Sequence, residues 1–298
     1  MGTETVELDR PPRLGPLYRA AALRRGTSAD PRLPGRALVL RGVRVDRERL
    51  AEYDRVCGFR LRDELPATYP HVLAFPLALT LMTGADFPFP LLGLVHVENR
   101  IQVLRPLLSS DAFDVAVRAE ALRPHDRGTQ LDVVATATIA DEPVWSSRST
   151  YLRRTGTGPD RSKPDGPKER AQPPRPSATW RVPRRTGPDY AAVSGDRNPI
   201  HTSRLLAKAF GFPRTIAHGM WTKARCLAAL EGRLPDTYEV HVAFKLPILL
   251  PATVGFSTAT DGAGWTIGVH DTRTGKPHLT GSVDTVEGGH GIGPPPDR

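Results

Sequence analysis

The sequence predicts an α+β protein made of two similar units, and three observations support this prediction. A helical region followed by strand-like runs occurs in the first half of the chain, and the same order of elements returns in the second half. Residues 155–177, between the halves, hold no large apolar residue and are dense in Pro, Gly and charge. Short blocks of sequence also match between the halves. We therefore expect two units packed together like a dimer fused into one chain.

Length and composition narrow the class of protein. A chain of 298 residues with 30 Pro, 27 Gly and 6% aromatic residues favours many turns over a helical bundle. No apolar run approaches the roughly 18 residues of a membrane span, and the N-terminus lacks the apolar core of a signal peptide. Cys57 and Cys226 match neither a disulfide framework nor a metal-ligand spacing. These features predict a cytoplasmic protein with no membrane span.

The net charge of +9 is concentrated in one segment. Between Arg153 and Arg185 there are ten Lys and Arg residues against three Asp and Glu, so this stretch alone carries +7. A nucleic-acid site would need basic residues on a structured face with stacking aromatic residues, and no such pattern is visible. The charge therefore predicts a solvated, flexible basic Pro-rich linker over 155–177 and no nucleic-acid partner.

The first half predicts an N-terminal extension over 1–35, polar and loosely ordered with a short helix at 17–23, and a unit over 36–154. Residues 36–45 alternate apolar and polar positions like a half-buried strand, and residues 48–58 form a short helix ended by Gly58. Residues 75–83 are nearly all apolar and lie between turn signals, which favours a buried helix. The remaining runs predict strands at 91–104, 112–122, 129–140 and 144–153.

The second half predicts a unit over 178–287 with the same order of helices and strands, followed by a Gly- and Pro-rich tail over 288–298. Two short helical pieces at 187–195 and 198–211 precede an apolar helix at 216–230. The predicted strands are 238–246, 252–260, 265–271 and 278–286.

Matching blocks align the two halves and show where they differ. Tyr53–Gly58 aligns with Tyr190–Gly195, residues 70–77 align with 213–220, and Arg105-Pro106 aligns with Leu246-Pro247. This alignment places Phe59, Leu61, Glu64 and Pro76 opposite Asp196, Asn198, His201 and Gly219. Because none of the first four can do the chemistry of its counterpart, we expect a catalytic second unit and a degenerate, non-catalytic first unit.

The polar residues of the second unit suit acid–base chemistry. Asn198-Pro199 has the pattern of a helix start, with Asn as the N-cap, which places Asp196 just before the helix and His201 in its first turn. A carboxylate and an imidazole at this spacing can hold one water between them. Gly219 opens the apolar helix, where an N–H can stabilise negative charge on an oxygen. This set suits the addition or removal of water beside a thioester carbonyl and requires no metal.

Residues 190–201 carry Tyr, then Ser-Gly-Asp-Arg-Asn-Pro-Ile-His, and Ala-His-Gly-Met follows at 217–220. At these residues the sequence resembles the MaoC-like, (R)-specific enoyl-CoA hydratase (hydratase-2) family. Residues 65–77 and 244–253 resemble the double hot-dog (3R)-hydroxyacyl-thioester dehydratases of actinobacterial type, so the resemblance covers nearly the whole chain. It implies a hot-dog fold in each unit, an antiparallel sheet wrapped around a central helix.

The resemblance also implies the roles of the site residues. Asp196 and His201 would act on a bound water, Asn198 would assist, and Gly219 would supply the oxyanion N–H. The reaction would be the reversible dehydration of (3R)-hydroxyacyl thioesters in fatty-acid or related lipid metabolism, without a cofactor or metal. The substrate would be a thioester of coenzyme A or acyl carrier protein.

Several alternatives stay open at this point. The fold could bind acyl thioesters without turnover, or hydrolyse them as a thioesterase. The fused halves could be a complete monomer, or two such chains could form a homodimer. We expect His218 to pack beside the site and Cys226 to lie in the core. The other histidines (His71, His96, His125, His241, His270 and His278) are interpreted as structural.

Overall fold

A computed structural model describes residues 3–24, 26–28, 30–154, 175–262 and 264–286. Over these residues the strands are β1 (Glu4–Leu8), β2 (Arg36–Arg44), β3 (Leu94–Val103), β4 (Ala112–His125), β5 (Gly128–Ile139), β6 (Glu142–Arg154), β7 (Ala178–Val182), β8 (Tyr238–Phe244), β9 (Ala252–Asp261), β10 (Gly264–Asp271) and β11 (Pro277–Thr285). The helices are α1 (Leu14–Leu23), α2 (Arg47–Cys57), α3 (Tyr69–Thr83), α4 (Thr186–Ser194), α5 (Pro199–Thr202), α6 (Arg204–Ala209) and α7 (Gly219–Ala229). None of the described helices is long and apolar enough to cross a membrane.

The described strands belong to one sheet whose order reveals an internal two-fold relation. The order is β1-β2-β4-β5-β6-β3-β8-β11-β10-β9-β7. Apart from β1, each strand on one side of the β3–β8 junction has a counterpart on the other side. Neighbouring strands are antiparallel except β1, which pairs in parallel with β2. The two units are therefore joined edge to edge into one continuous surface.

The buried helices α3 and α7 lie against this sheet. Helix α3 is apolar around most of its surface and packs on β4, β5 and β2, and α7 packs on β10 and β11. A helix that is hydrophobic on all sides needs a core around it, and the sheet of each unit supplies one. Where the units meet, Tyr53 of α2 and Tyr190 of α4 are both buried, with ring centroids 6.2 Å apart. The predicted α+β double hot-dog is confirmed.

The central helix of the first unit begins earlier than the sequence suggested, and this corrects the alignment at Pro76. Leu65 N–H donates to Leu107 O in the first unit, as Ala217 N–H donates to Ile248 O in the second. Two residues after each of these donors stand Ala67 and Gly219, so Ala67 is the counterpart of Gly219. Pro76 lies inside α3 instead. The prediction was wrong because the helix starts at Tyr69, where Pro70 suits its first turn.

The alignment of Glu64 with His201 was also wrong. Gly58 and Gly195 both end a helix in the left-handed conformation, with φ of 82° and 77°, so Phe59 does stand opposite Asp196. The second unit then inserts α5 and α6 before the chains rejoin, where Glu64 bridges Leu108 and Ile216 bridges Leu249. His201 lies on this inserted segment, for which the first unit has no equivalent helix among its described residues.

The N-terminal extension is more ordered than predicted over its described residues. Strand β1 extends the sheet beside β2, with Val6 opposite Leu38, and α1 spans Leu14–Leu23. Leu14 packs against Gly195 of the second unit. The sequence predicted part of α1, as a short helix at 17–23, and missed β1, whose few apolar residues lie among charged ones and give a weak periodic signal. Most of the predicted linker (155–177) and the predicted tail (288–298) lie outside the described residues.

Lys223 joins α7 to the junction of the two units. Its side chain is fully buried, and its ammonium donates to Asn99 O at 3.1 Å, Asn99 Oδ1 at 2.6 Å and Val240 O at 2.9 Å. Asn99 belongs to β3 and Val240 to β8, so one cation bonds both central strands. Burial lowers the pKa of Lys223 well below its ordinary value. The three acceptors compensate for the loss of water around the amine.

We expect Lys223→Ala to lower the free energy of unfolding by about 2–4 kcal/mol, because it removes three buried hydrogen bonds and takes from Asn99 Oδ1 the donor that Lys223 supplies. Urea unfolding followed by circular dichroism measures this change. The exposed Lys208 is the matched control, and Lys208→Ala should change stability by less than about 0.5 kcal/mol. Equal effects of the two substitutions would show that the buried amine does not join the strands.

Candidate active site

Asp196 is held by the turn that follows α4. Gly195 ends the helix in a left-handed conformation that glycine adopts without strain. Asp196 N–H then donates to Ser194 Oγ at 3.2 Å, and Asn198 N–H donates to Asp196 Oδ1 at 3.1 Å. Two local hydrogen bonds therefore fix the backbone and one carboxylate oxygen. The side chain keeps 33% of its surface exposed, so the carboxylate is not fully enclosed.

Asn198 acts through two different groups. Its side-chain Oδ1 accepts Ile200 N–H at 3.4 Å and caps α5, as the Asn-Pro pattern predicts. Its backbone N–H orients the Asp196 carboxylate. The prediction that the side chain itself orients a water or the carboxylate stays a prediction.

His201 is buried and presents one free nitrogen. Its Nδ1 donates to Ile216 O at 2.8 Å, which fixes the tautomer because a carbonyl oxygen can only accept. Nε2 is therefore an acceptor. Burial lowers the pKa of His201, although the Asp196 carboxylate and the Ile216 carbonyl oppose this shift. The imidazole is neutral at physiological pH, which is the state that a general base requires.

His218 connects the turn at Asp196 to the start of α7. Its Nε2 donates to Asp196 O at 2.9 Å, and its ring stacks on His201 with centroids 3.6 Å apart. Burial lowers the pKa of His218 to about 3, so this ring is neutral as well. As expected from the sequence, His218 packs beside the site. Its ring lies against the His201 ring, directly before α7 begins at Gly219.

The charge of the site resides on Asp196. Burial disfavours its ionised form, but His218, His201, the Asn198 N–H and the Tyr18 hydroxyl together lower the pKa of Asp196 below its ordinary value. The site therefore combines one carboxylate with two neutral imidazoles at neutral pH. Such a set can accept a proton at either His201 or Asp196 and can hold a polarised water between them.

The same groups could also ligate a divalent ion. Asp196, His201 and His218 each offer a ligand atom, and these atoms lie within 4.8 Å of one another. Two imidazoles and a carboxylate form a known ligand set for zinc and related ions. The sequence did not indicate this grouping because His218 is distant in the chain from the other two.

Gly219 is the first residue of α7, where the helix itself offers its N–H no acceptor. A Cβ built on Gly219 would lie 2.9 Å from Phe244 Cε1. The glycine therefore allows the Phe244 ring to lie across the N-terminus of the helix. The N–H and the positive end of the helix dipole are suited to an oxygen that gains negative charge.

Tyr18 of the N-terminal extension completes the surroundings of Asp196, and sequence reasoning missed it. Its hydroxyl lies 3.1 Å from Gly195 O and 3.3 Å from Asp196 Oδ1, and it accepts Arg197 N–H at 2.7 Å. Burial and the Asp196 charge raise the pKa of Tyr18, which keeps its proton in place for donation. No local signal marks this role, because it depends on packing between distant segments.

Four rings extend the site into the first unit. Phe244 meets His96 at a centroid distance of 5.0 Å, and His96 stacks on Tyr151 at 4.7 Å and on His71 at 6.5 Å. The Asp196 charge acts on the pKa of both histidines, but burial outweighs it and lowers the pKa of His71 to about 4 and of His96 to about 3. We call His71, His96, Tyr151 and Phe244 the ring wall. The sequence analysis interprets two of these residues, His71 and His96, as structural.

Comparisons with known proteins identify the family of this chain. The model of the MaoC like domain matches residues 167–281. A 3-hydroxyacyl-thioester dehydratase X from Mycobacterium tuberculosis is 40% identical over 251 residues, which cover 84% of this chain and 90% of that protein. The chain belongs to the MaoC-like dehydratase family.

Solved structures of MaoC-like proteins extend this result. The crystal structure of HtdX from Mycobacterium tuberculosis superposes with a TM-score of 0.75 at 39% identity and covers 84% of this chain and 100% of its own. A MaoC-like dehydratase from Phytophthora capsici superposes with a TM-score of 0.66 at 18% identity, over 85% of this chain and 95% of its own, which shows the shared fold. A shorter match is to an (R)-specific enoyl-CoA hydratase from Aeromonas caviae, which is 33% identical over 66 residues. These residues cover 22% of this chain and 49% of that protein.

The contact between Tyr18 and Asp196 predicts a change in pH dependence. Tyr18→Phe removes a hydrogen bond that lowers the pKa of Asp196, so this pKa should rise. If ionised Asp196 is required, the acid limb of the kcat/KM profile moves to higher pH. At a fixed pH on that limb, activity then falls about tenfold for every pH unit by which the limb has moved. Hydration of an enoyl thioester measured across pH checks this outcome.

Tyr238→Phe is the matched control, because Tyr238 is a buried tyrosine at the start of β8 and has no hydrogen bond with Asp196. It should leave the acid limb unchanged. The same displacement in both variants would contradict a specific effect of Tyr18.

Proposed function

We propose that this protein catalyses the reversible dehydration of (3R)-hydroxyacyl thioesters to trans-2-enoyl thioesters, with Asp196 and His201 acting on one water. The observation that carries the proposal is the pair of unprotonated bases beside the Gly219 N–H, at the end of a buried helix. Relatives of this chain bear the names of dehydratases and hydratases of such thioesters. The physiological direction depends on metabolite concentrations.

The protonation states suggest how the proton moves. His201 Nε2 is an unprotonated acceptor and takes the proton from C2 of the substrate. The C2–H and C3–O bonds break, the C2=C3 bond forms, and the proton passes to the departing hydroxyl so that water leaves. Asp196 accepts a hydrogen bond from this water and holds it at C3. Both side chains end unprotonated, as they began, so the site is ready for the next turnover.

The thioester oxygen becomes negatively charged as C2 loses its proton. Gly219 N–H lies in the first turn of α7, where a donor and the helix dipole act together. We place the thioester oxygen at this N–H. A preorganised donor of this kind supplies about 10²–10³-fold in rate.

The proposal leaves the carrier as coenzyme A or acyl carrier protein. Both present the acyl group on a pantetheine thiol, and the site chemistry described above does not require either one. Kinetics with the two carriers would separate them.

A cytoplasmic location is proposed because Cys57 and Cys226 are free and buried, which suits a reducing compartment. The two fused units supply one site without a second chain, so the site does not require a homodimer. Association of two such chains is a separate proposal, which sedimentation would test.

Binding without turnover and thioester hydrolysis are the alternative activities. The first experiment is therefore an absorbance assay of trans-2-enoyl coenzyme A thioesters of increasing chain length, with chiral analysis of the product. Loss of the conjugated absorbance with formation of the (3R)-alcohol supports dehydratase chemistry. Release of free thiol would identify a thioesterase instead.

We expect Asp196→Asn and His201→Ala each to lower kcat by about 10²–10⁴-fold, the range of general acid–base catalysis. Steady-state hydration kinetics measure the loss, and circular dichroism checks that both variants fold. Asp189→Asn is the control, because Asp189 lies on the same helix α4 and only pairs with Arg185 at the surface. Activity that disappears on dialysis against a chelator and returns with a divalent ion would replace the water mechanism with a metal mechanism.

Two substitutions at Gly219 separate its N–H from its small size. Gly219→Ala adds a Cβ against Phe244 and keeps the N–H, and Gly219→Pro adds a Cβ at the same place within a larger ring and removes the N–H. Because proline is tolerated at the first position of a helix, the fold should persist. We expect kcat of Gly219→Pro to be about 10²–10³-fold below that of Gly219→Ala. Similar rates for the two variants would remove this N–H from the mechanism.

A further inference from the structure

His96 occupies an irregular position in the sheet. In the pairing of β3 with β6, His96 stands opposite Tyr151 and Glu98 stands opposite Thr150, so Val97 is an extra residue in β3. A β-bulge of this kind redirects a side chain and often lies next to an active site. Here it accompanies a ring that contacts Tyr151 on one face and Phe244 at its edge. Phe244 is the ring that covers Gly219, so His96 lies one side chain away from the N-terminus of α7.

The imidazole of His96 carries an unused hydrogen-bond acceptor. Its Nε2 is buried and has no hydrogen-bond partner among the described residues. The backbone of Glu98 raises the pKa of His96, which is the effect of a carbonyl oxygen beside a protonated ring nitrogen, and since Nε2 has no partner we assign that nitrogen as Nδ1. Nδ1 therefore carries the proton, and Nε2 presents a lone pair. A buried acceptor without a partner costs free energy, and a ligand that donates a hydrogen bond would remove this cost.

The surroundings of Nε2 select an uncharged donor. Neighbouring His71 uses Nδ1 toward Ser147 Oγ at 3.3 Å, and both imidazoles are neutral because of their burial. The buried Lys223 nearby donates to Asn99 and Val240. Coenzyme phosphates bind cationic groups, which the ring wall does not offer. A hydroxyl group fits a neutral, buried acceptor.

The position of the wall assigns that hydroxyl to the acyl chain. His71 lies on α3, and His96 and Tyr151 lie on β3 and β6, so the wall stands between the central helix and the sheet of the first unit. A thioester bound with its oxygen at Gly219 and its C2 and C3 at Asp196 and His201 has one apolar end to bury. We place that end at the ring wall, behind Phe244.

We propose that His96 Nε2 accepts a hydrogen bond from a hydroxyl group on the acyl chain beyond C3, so that the preferred substrates are thioesters of hydroxylated acyl chains. The inference rests on the proposed dehydratase function. It assigns a specificity role to the first unit, which lacks the catalytic residues of the second.

The test uses pairs of trans-2-enoyl coenzyme A thioesters of equal length, one plain and the others with one hydroxyl moved along the chain carbon by carbon. For at least one hydroxyl position, wild-type kcat/KM should exceed that of the plain chain by about tenfold, the factor that one neutral hydrogen bond supplies. His96→Phe keeps an aromatic ring and loses the acceptor. It should reduce this preference to within about twofold, because kcat/KM of the hydroxylated chain falls more than kcat/KM of the plain chain.

Controls keep the inference separate from the proposed function. His125→Phe, at the exposed turn between β4 and β5, should keep the preference, and His96→Leu repeats the test if the Phe variant fails to fold. Dissociation constants of saturated acyl thioesters, with and without the hydroxyl, give the same comparison without turnover. No preference in wild type at any hydroxyl position overturns the inference even if plain chains are hydrated. An equal loss on all chains in His96→Phe would also overturn it, because the acceptor would then serve a part of the substrate that all chains share.

Discussion

The antiparallel pairing of β3 with β8 is the constraint on which the rest of the structure depends. It joins two five-stranded units into one sheet and sets them about a two-fold relation. Lys223 reinforces this junction by bonding Asn99 on one strand and Val240 on the other. Because the register of this pair is fixed, residues of the first unit reach the site of the second. Neither unit alone could supply both the proposed acid–base pair and the ring wall.

The candidate catalytic residues could be located from the sequence because their placement is local. Gly195 in a left-handed turn, Asp196 after it and Asn198 as a helix cap follow from short-range backbone rules. The order of helices and strands was also readable, since each run carries its own periodicity. The boundaries that failed were those without a strong local signal, such as the start of α3 at Tyr69 and the short strand β1.

The rest of the site depends on contacts between distant parts of the chain. Tyr18 meets Asp196 across 178 positions of sequence, and no pattern in residues 1–35 marks it. The alignment of Pro76 with Gly219 failed because similar letters recur one turn or more out of register in apolar helices, whereas hydrogen bonds of Leu65 and Ala217 fix the true correspondence. His96 was interpreted as structural because its free nitrogen is visible only when all neighbours are known.

A fused pair of hot-dog units with one site permits a division of work that a symmetric dimer does not. In a symmetric dimer every substitution appears in both units, so a residue that suits the acyl end must also suit the catalytic end. Here the second unit carries the inserted α5 with His201, and the first unit has a loop without this insertion. The central helices also differ at one matching position, where the first unit has His71 on α3 and the second has Lys223 on α7. One of these matching side chains bonds the two units together and the other joins the ring wall. The loss of symmetry therefore allows one helix position to serve stability in one unit and recognition in the other.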